Sequence, residues 1–502
     1  MGIYSINESA SAALKIAQAG ILVTSQNVAG TSIEGFSRRS ASTVMDALAP
    51  NSLMLNGSSF AVEGFTREYS SLIGAQLLNQ QAKSSYSETL VQYTSTIDSV
   101  IADKSAGLSS AITKFFNVLG NYAADPSNKA LAAAITGSAN VVSQRMTGIT
   151  TLVGQLKSDT ATGLNDTVRQ INTYLPALAD INQRILKSNS PGNTAPSADL
   201  LDERDRILTN LQKLVGGQSL VNSDGTGTQL VAGLPLVERG ISNRVSVNGD
   251  GKSIAVEFNR ANPSGGQVMQ TIQTVDGGQA GALLKMANEF IPKMEQRLNT
   301  TALALVKIAN EAGQASSTSP TAVAIFGFKV GSNTYSSVDT DSADPTGLIP
   351  TLANEADIAS LYNSVGQSNS ALVGAKLIAE NFVAIAPSDP LSYYSYNNVT
   401  KVYTPLITSA KANSAEQKST LLGNVVADLV TDVGVQIASW RNSKKADEVV
   451  LSNLKEQREQ LSGVNLDEEA ANLLKYQQLY SASTKILQTG NQMFNTLLAI
   501  MN

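Results

Sequence analysis

Toward its C-terminal end the chain carries apolar residues at a spacing that long, packed helices use and few other folds can. Val426, Val433, Trp440, Leu454 and Leu461 fall at multiples of seven, with Leu422 and Leu429 four residues ahead of the first two. This is coiled-coil-like spacing, broken only by Asp447. About forty residues of helix at ~1.5 Å each span roughly 60 Å, and Gly463 is expected to stop it. A new helix follows. Asn465 is its expected N-cap, with Glu468 in capping-box position, and Asp467 and Glu469 place negative charge at the positive end of the helix dipole. Adjacent apolar pairs then recur every seven residues: Leu479-Tyr480, Ile486-Leu487, Met493-Phe494 and Ile500-Met501. A face that wide needs a partner. The partner can be another helix of the same chain, buried in a core, or another subunit.

The N-terminal segment mirrors this. Ala10, Leu14, Ala17, Ile21 and Val28 lie on one helical stripe, and Gly30 is expected to end that helix as a left-handed cap. From there to about residue 66 the chain reads as extended or loop. Leu90, Tyr93, Ile97 and Ile101 mark a further helix. Asp125-Pro126 reads as a helix start, an N-cap followed by proline at the first position, and the helical pattern runs on to about residue 188. Ser190 to Ser197 is a loop with a cap, opening the charged helix that begins Asp199-Leu-Leu-Asp-Glu-Arg-Asp205. Near Gly216 the period changes. Val245 and Val247, then Ile254, Val256 and Phe258, alternate on either side of Asn248-Gly-Asp-Gly251, a hairpin signature. Helix returns over 280–314, and residues 317–410 show weak periodicity.

The totals exclude several chemistries. The 502 residues hold no cysteine and no histidine, so Cys/His zinc sites, thiol nucleophiles and histidine-based triads are ruled out. A formal charge of −5 and 5% aromatic residues argue against nucleic acid, including for Phe36, Arg38 and Arg39. No stretch approaches the ~18 apolar residues of a membrane span, and the start lacks the basic, apolar pattern of a secretory signal. Asp339, Asp341 and Asp344 lack the glycine and glutamate of a calcium loop. Asp202 and Arg206 read as an i,i+4 pair on a solvated helix face. Gly277-Gly278-Gln-Ala-Gly281 lacks a phosphate-loop pattern and reads as a turn into a helix. Asn398-Val-Thr400 matches a glycan acceptor, a sequence common by chance. No catalytic residue, metal ligand or cofactor is expected.

Asn27-Val-Ala-Gly-Thr-Ser-Ile-Glu-Gly-Phe-Ser-Arg38 closely resembles the N-terminal signature of bacterial flagellar rod, hook and hook-associated proteins, with Gly30 where that family often has Asn and Phe36 where it has Tyr. Ser462-Gly-Val-Asn-Leu-Asp-Glu-Glu-Ala-Ala-Asn-Leu473, with Tyr476-Gln-Gln and Tyr480, is similar to the ending of the hook-associated protein 1 family, the hook–filament junction proteins. Gly64-Phe-Thr-Arg-Glu-Tyr69 and Asp199 to Asp205 also match that pattern. The resemblance covers roughly 1–215, 280–314 and 415–502.

It implies a mainly α fold with inserted β-containing domains. Coiled-coil-like helices from both termini would form an axial layer beneath outer mixed α/β domains. The expected domains are 1–60 with 462–502 (terminal axial helices), 61–215 with 276–316 and 411–461 (helical bundle), 216–275 (small β subdomain) and 317–410 (variable insert). The implied role is structural: a self-assembling, extracellular junction subunit above the hook protein and below a second hook-associated junction protein. It implies export, unfolded, through the flagellar type III system, an export chaperone on the C-terminal helix, and termini that fold on assembly. Assembly and axial packing would fall to Leu14, Ile21, Asn27, Thr31, Gly35, Phe36, Ser37, Arg38, Asn465, Leu466, Asp467, Glu468, Leu473, Tyr480, Leu487, Phe494 and Leu498, with the loop after the first helix turning a corner toward the outer domains. The alternatives are another axial flagellar protein (hook or distal rod), or an extracellular coiled-coil adhesin or secretion-needle component.

Overall fold

The computed structural model describes residues 3–33, 35–46, 59–101, 107–125, 128–189, 197–261, 267–313, 325–330, 333–335, 382–384, 394–397, 402–405 and 415–501. The chain is mainly helical, with several small antiparallel sheets and two long helices at its C-terminal end. It divides into two compact units, Met1–Ser87 with Leu164–Leu284 and Lys444–Asn502, and Glu88–Gly163 with Lys285–Ser443.

The helix α4 (Lys129–Ser188) carries the longest seam. Within the second unit its buried seam includes Ala132, Ile135, Ala139, Val142, Met146, Ile149, Val153 and Leu156. Within the first it includes Leu164, Val168, Ile171, Leu175, Leu178, Asn182 and Ile185. Alternating steps of three and four keep one side of a helix turned to a neighbour, which accounts for a helix this long. Its start differs from the sequence expectation. Asp125 is the C-cap of α3 (Leu108–Ala124), and α4 is capped by Asn128, whose Oδ1 accepts from Ala130 and Leu131 N–H. Asn fills the same capping role as Asp, and here it does so three residues further along. Pro126 lies outside the described residues.

The second unit also holds α7 (Ile291–Gly313), preceded by one π turn (Met286–Phe290). Its buried stripe is Ile291, Met294, Leu298, Ala302, Leu305 and Ala309. Rings close the core: Phe115 lies edge-on to Phe116 and Phe326, and Phe290 packs on Trp440 at 5.1 Å. Trp440 belongs to α8 (Ala415–Ser462), whose seam in this unit runs Val433, Ile437, Trp440. The heptad expectation holds at Val433 and Trp440 and fails at Leu461, which is 55% exposed. The side chains of Leu422, Val426 and Leu429, and residues 339–344 and 398–400, lie outside what is described. Five short strands are described between 326 and 405: β10 (Phe326–Val330), β11 (Asn333–Tyr335), β12 (Phe382–Ala384), β13 (Tyr394–Asn397) and β14 (Val402–Pro405).

In the first unit α5 (Ala198–Val215) is capped by Ser197. It leads into two antiparallel sheets. One holds β3 (Gln218–Val221), β4 (Gly227–Val231), β5 (Leu234–Glu238) and β6 (Ile241–Ser242); the other holds β7 (Arg244–Val247), β8 (Ile254–Ala261) and β9 (Gln267–Ile272). The expected hairpin is present in register, Val245 opposite Val256 and Val247 opposite Ile254. Gly277 and Gly278, both at positive φ, turn into α6 (Gly278–Lys285), and a Cβ on Gly278 would meet the Gly216 backbone.

Asparagines join helices to strands. Asn182 exchanges paired hydrogen bonds with Gly227 N–H and C=O (2.8 and 2.7 Å), and Asn172 does the same with Val245 (2.9 and 2.7 Å). A buried strand end cannot leave its backbone unpaired, and an amide side chain offers one donor and one acceptor side by side.

Candidate functional site

The terminal helices α1 (Ile3–Gly30) and α9 (Leu466–Met501) lie antiparallel. Tyr476 sits where a Cβ on Gly20 would be, 2.5 Å from the ring, and Asn7 blocks one on Gly490. The most buried residues of the two helices are small or polar: Ala10, Ala17, Thr24 and Asn27 on α1, and Glu469 and Ser483 on α9, each under 4% exposed, with Val23 at 5%. The larger apolar residues are turned outward. Leu22, Val28, Leu466, Leu474, Ile486, Met493 and Phe494 are 41–60% exposed and Tyr480 is 37% exposed. Leu14, Ile21, Leu473 and Leu487 are half-buried, and Leu498 lies in α9 with its side chain outside the described residues. The α1 stripe of the sequence reading is therefore shifted. Val28 is exposed, while Ala10 and Ala17 are buried with Gly20, Thr24 and Asn27, because close helix approach selects small side chains rather than large ones.

At the end of this pair, four stretches of sequence meet. Gly30 ends α1, but not as a left-handed cap. The positive φ falls five residues later, at Gly35 (+89°). Gly30 is needed because the Phe36 ring folds back onto it, 2.5 Å from where a Cβ would stand. Thr31 is exposed and donates to Val28 C=O. Asn27, 1% exposed, accepts from Arg39 N–H (2.9 Å) and donates to Arg39 C=O (3.0 Å), pinning the chain as it leaves α1. The segment expected as extended or loop is a ribbon of β1 (Arg39–Asp46) and β2 (Ser59–Arg67).

The ribbon places Arg39 directly opposite Arg67, a like-charge pairing that destabilises unless it is answered. The answer comes from α5. Asp199, Asp202 and Asp205, three residues apart, share one helical face. Arg67 pairs with Asp202 (3.0 Å) and Asp205 (2.7 Å), and Arg39 pairs with Asp199 and approaches Asp202 at 3.8 Å. Ser37 N–H also donates to Asp202 (3.4 Å). Burial alone would lower the pKa of Arg67, but Asp205 and Asp202 hold it above its ordinary value. Each guanidinium also covers a ring, Arg39 over Phe36 at 4.7 Å and Arg67 over Tyr69 at 4.1 Å. Burial, then the Asp205 charge, pushes the Tyr69 phenol up.

Arg38 ties in the fourth stretch. Its N–H donates to Ser462 C=O (2.8 Å), its C=O accepts from Glu68 N–H (2.8 Å), and its guanidinium holds Glu469 (2.8 Å) and Glu468 (3.2 Å). Glu469 is 2% exposed, so Arg38 answers a charge already withdrawn from water. Asn465 caps α9 through Asp467 N–H (3.0 Å). Glu468 is turned to Arg38 rather than back to its own cap.

Of the residues expected to act in assembly, Asn27, Gly35, Phe36, Ser37, Arg38, Asn465 and Glu468 are brought together here; Leu466, Tyr480 and Phe494 are on the open face. Arg39, Arg67, Asp199, Asp202, Asp205 and Glu469 were not assigned to the site. The expected Asp202–Arg206 pair is corrected: Arg206 pairs with Glu203, and Asp202 serves the ribbon. The three-residue spacing of the aspartates was the available signal.

Among the described residues no helix is long and apolar enough to cross a membrane. Two family models match, Flagellar hook-associated protein FlgK helical domain over 94–319 and Flagellar basal body rod FlgEFG protein C-terminal over 457–500. The chain is 27% identical to flagellar hook-associated protein 1 of Salmonella typhimurium, over 97% of this chain and 98% of that protein. It is 24% identical to the Escherichia coli protein of the same name (99% and 100% covered) and 23% to that of Bacillus subtilis (98% and 97%). Its fold is similar to the flagellar hook junction protein FlgK from Burkholderia pseudomallei, with a TM-score of 0.54 and 15% identity, over 77% of this chain and all of that one. With these matches running along nearly its whole length, the chain is similar throughout to the flagellar hook-associated protein FlgK family, whose members are structural proteins and not enzymes.

Proposed function

We propose that this protein is a structural subunit of the junction between flagellar hook and filament. The observation that carries it is the packing of the α1–α9 pair. Small residues are spent inside the pair, and Leu466, Leu474, Ile486, Met493 and Phe494 are left to water, where an apolar face of this size calls for a partner. In this reading the pair joins its counterparts from other copies as an axial layer, with the hook protein below and a second hook-associated junction protein above. Residues 1–60 with 462–502 form the axial domain, 61–215 with 276–316 and 411–461 the helical bundle, 216–275 a β subdomain and 317–410 an outer insert.

The subunit travels unfolded through the flagellar type III export system to an extracellular position. An export chaperone covers the apolar face of α9 on the way, and the termini order on assembly, where burial offsets the cost of fixing them. The names of the relatives support this role, and so does the clasp, which ties both termini to α5. The match of 457–500 to a rod-protein C-terminal model is shared ground with rod and hook proteins; the helical-domain match over 94–319 favours the junction.

The test is Phe494→Asp in the full chain. A charge on this face leaves the free subunit folded and prevents seating, since burying it unpaired is costly. Filament subunits then leak into the medium. Normal filaments on cells carrying only this variant would sink the proposal.

A further inference from the structure

We infer that the groove beside the arginine–aspartate clasp is a socket for the N-terminal ridge of α9 from a second copy of this chain. The inference rests on the reading of the protein as an assembling subunit.

The groove has a volume of about 510 Å³ and is bounded by the turn after α1, the start of α2 (Ser71–Ile101), the end of α5 and the end of α8. Phe36, Ile73, Leu77, Leu78 and Val464 give it an apolar floor. Lys213, Lys455 and Arg458 stand on its rim, and none of the three forms an ion pair among the described residues. Asp205 also lines the groove, but Arg67 and Arg204 already hold its carboxylate. That leaves Glu459 against three cations, so the groove fits an apolar segment with an acidic group at one end.

The chain supplies such a segment. Leu466, Ala470 and Leu474 follow one another at intervals of four on α9, which puts them on one ridge. Leu466 is 54% and Leu474 60% exposed, Asp467 is exposed beside the first and Lys475 beside the second, so the acidic end of the ridge is its N-terminal one. Anchors at i, i+4 and i+8 are how a helix enters a groove. The ridge is exposed in its own chain, so its own groove does not take it. Ridge and groove are different surfaces, which makes the contact heterologous, and heterologous contacts propagate into rings or helical arrays. A junction layer requires that symmetry.

The absence of cysteine makes a direct test clean. Full-length Ile73→Cys and Leu474→Cys chains are co-expressed in cells lacking the native gene, and isolated flagella are mildly oxidised. The expected result is a disulfide-linked dimer in the mixture that is lost when either variant assembles alone. Flagella that hold both variants without the dimer overturn the inference, as does equal dimer from Leu474→Cys alone. If the unaltered chain is itself missing from isolated flagella, the functional reading has failed, and the inference with it. Charge reversal supplies a second arm. Lys455→Glu, checked for unchanged helix content, is expected to lose junction occupancy, and Asp467→Lys in the same chain is expected to restore part of it. Undiminished occupancy with Lys455→Glu overturns the charge complementarity on which the socket depends.

Discussion

Two long seams in this molecule follow the same helical spacing and bury opposite kinds of residue. Along α4 the inward positions are Ile135, Val142, Met146, Leu164, Ile171 and Leu175, all 1% exposed or less. Along α1 and α9 they are mostly small or polar, Ala10, Ala17, Thr24, Glu469 and Ser483 beside Val23, and Leu22, Leu466, Leu474 and Phe494 face out. The first seam is completed inside one chain. The second holds two helices close together but keeps its hydrophobic area unspent. Burial of apolar area is the main favourable term in both folding and association, so α4 works for the subunit, and in the proposed function the terminal pair is left to work for the assembly.

The contrast is easiest to break in α4. Leu175→Ala is expected to lower unfolding stability by ~2–5 kcal/mol through lost burial and a residual cavity, read as a reduced urea midpoint. A shift below the detection limit would mean the seam is not the core of the subunit. Arg67→Ala comes next. It removes the closest cation from Asp202 and leaves Asp205 to Arg204 alone, and hydrogen bonds to charged groups are worth ~1.5–3 kcal/mol. The expected readout is new protease cleavage between residues 39 and 67 with the helical core intact. Cleavage no faster than in the parent would show that the ribbon is held by something other than the α5 aspartates.

Gly20→Val sharpens the comparison on its other side. The added methyls meet the Tyr476 ring, and overpacking costs ~1–3 kcal/mol. That cost falls on the α1–α9 pair alone, so the main unfolding transition of the free subunit should be unmoved while the termini of the assembled subunit become protease-sensitive. The smallest effect belongs to Tyr69. Its folded pKa is raised above the ordinary 10.0, so its contribution to stability is fully present below pH 10 and is lost as pH rises through the folded value. Phenolate absorbance should show a component titrating above pH 10 that Tyr69→Phe removes.

Local pattern was sufficient for much of the fold. Ser197 and Asn465 were legible as caps, Gly463 as a helix end, and the β7–β8 hairpin could be read from the alternation between Val245 and Phe258. Each depends on residues only a few positions apart. The heptads were legible too, although Leu461 shows that spacing alone does not say which side of a helix is covered. Asp447 looked like a break in the C-terminal heptad. In the fold it is half-buried and accepts hydrogen bonds from Gln80 (3.0 Å) and Ser87 (2.9 Å), partners more than 350 positions away.

By itself, then, the sequence determined that the chain is a long-helix protein without cysteine or histidine chemistry, that both termini are amphipathic, and which motifs resemble the flagellar family. Spacing, capping and composition are local quantities, and one strand of text carries them whole. Only the tertiary structure decided that the four motifs form a single clasp. Arg39 and Asp199 are 160 positions apart, Arg67 and Asp202 are 135, and Arg38 and Glu469 are 431. It also decided that small residues close the terminal pair while large ones remain outside. An arginine is solvated or clasped, and a leucine is core or contact surface, according to what the fold brings within a few ångströms of it, and at those separations no periodicity along the chain records the neighbour.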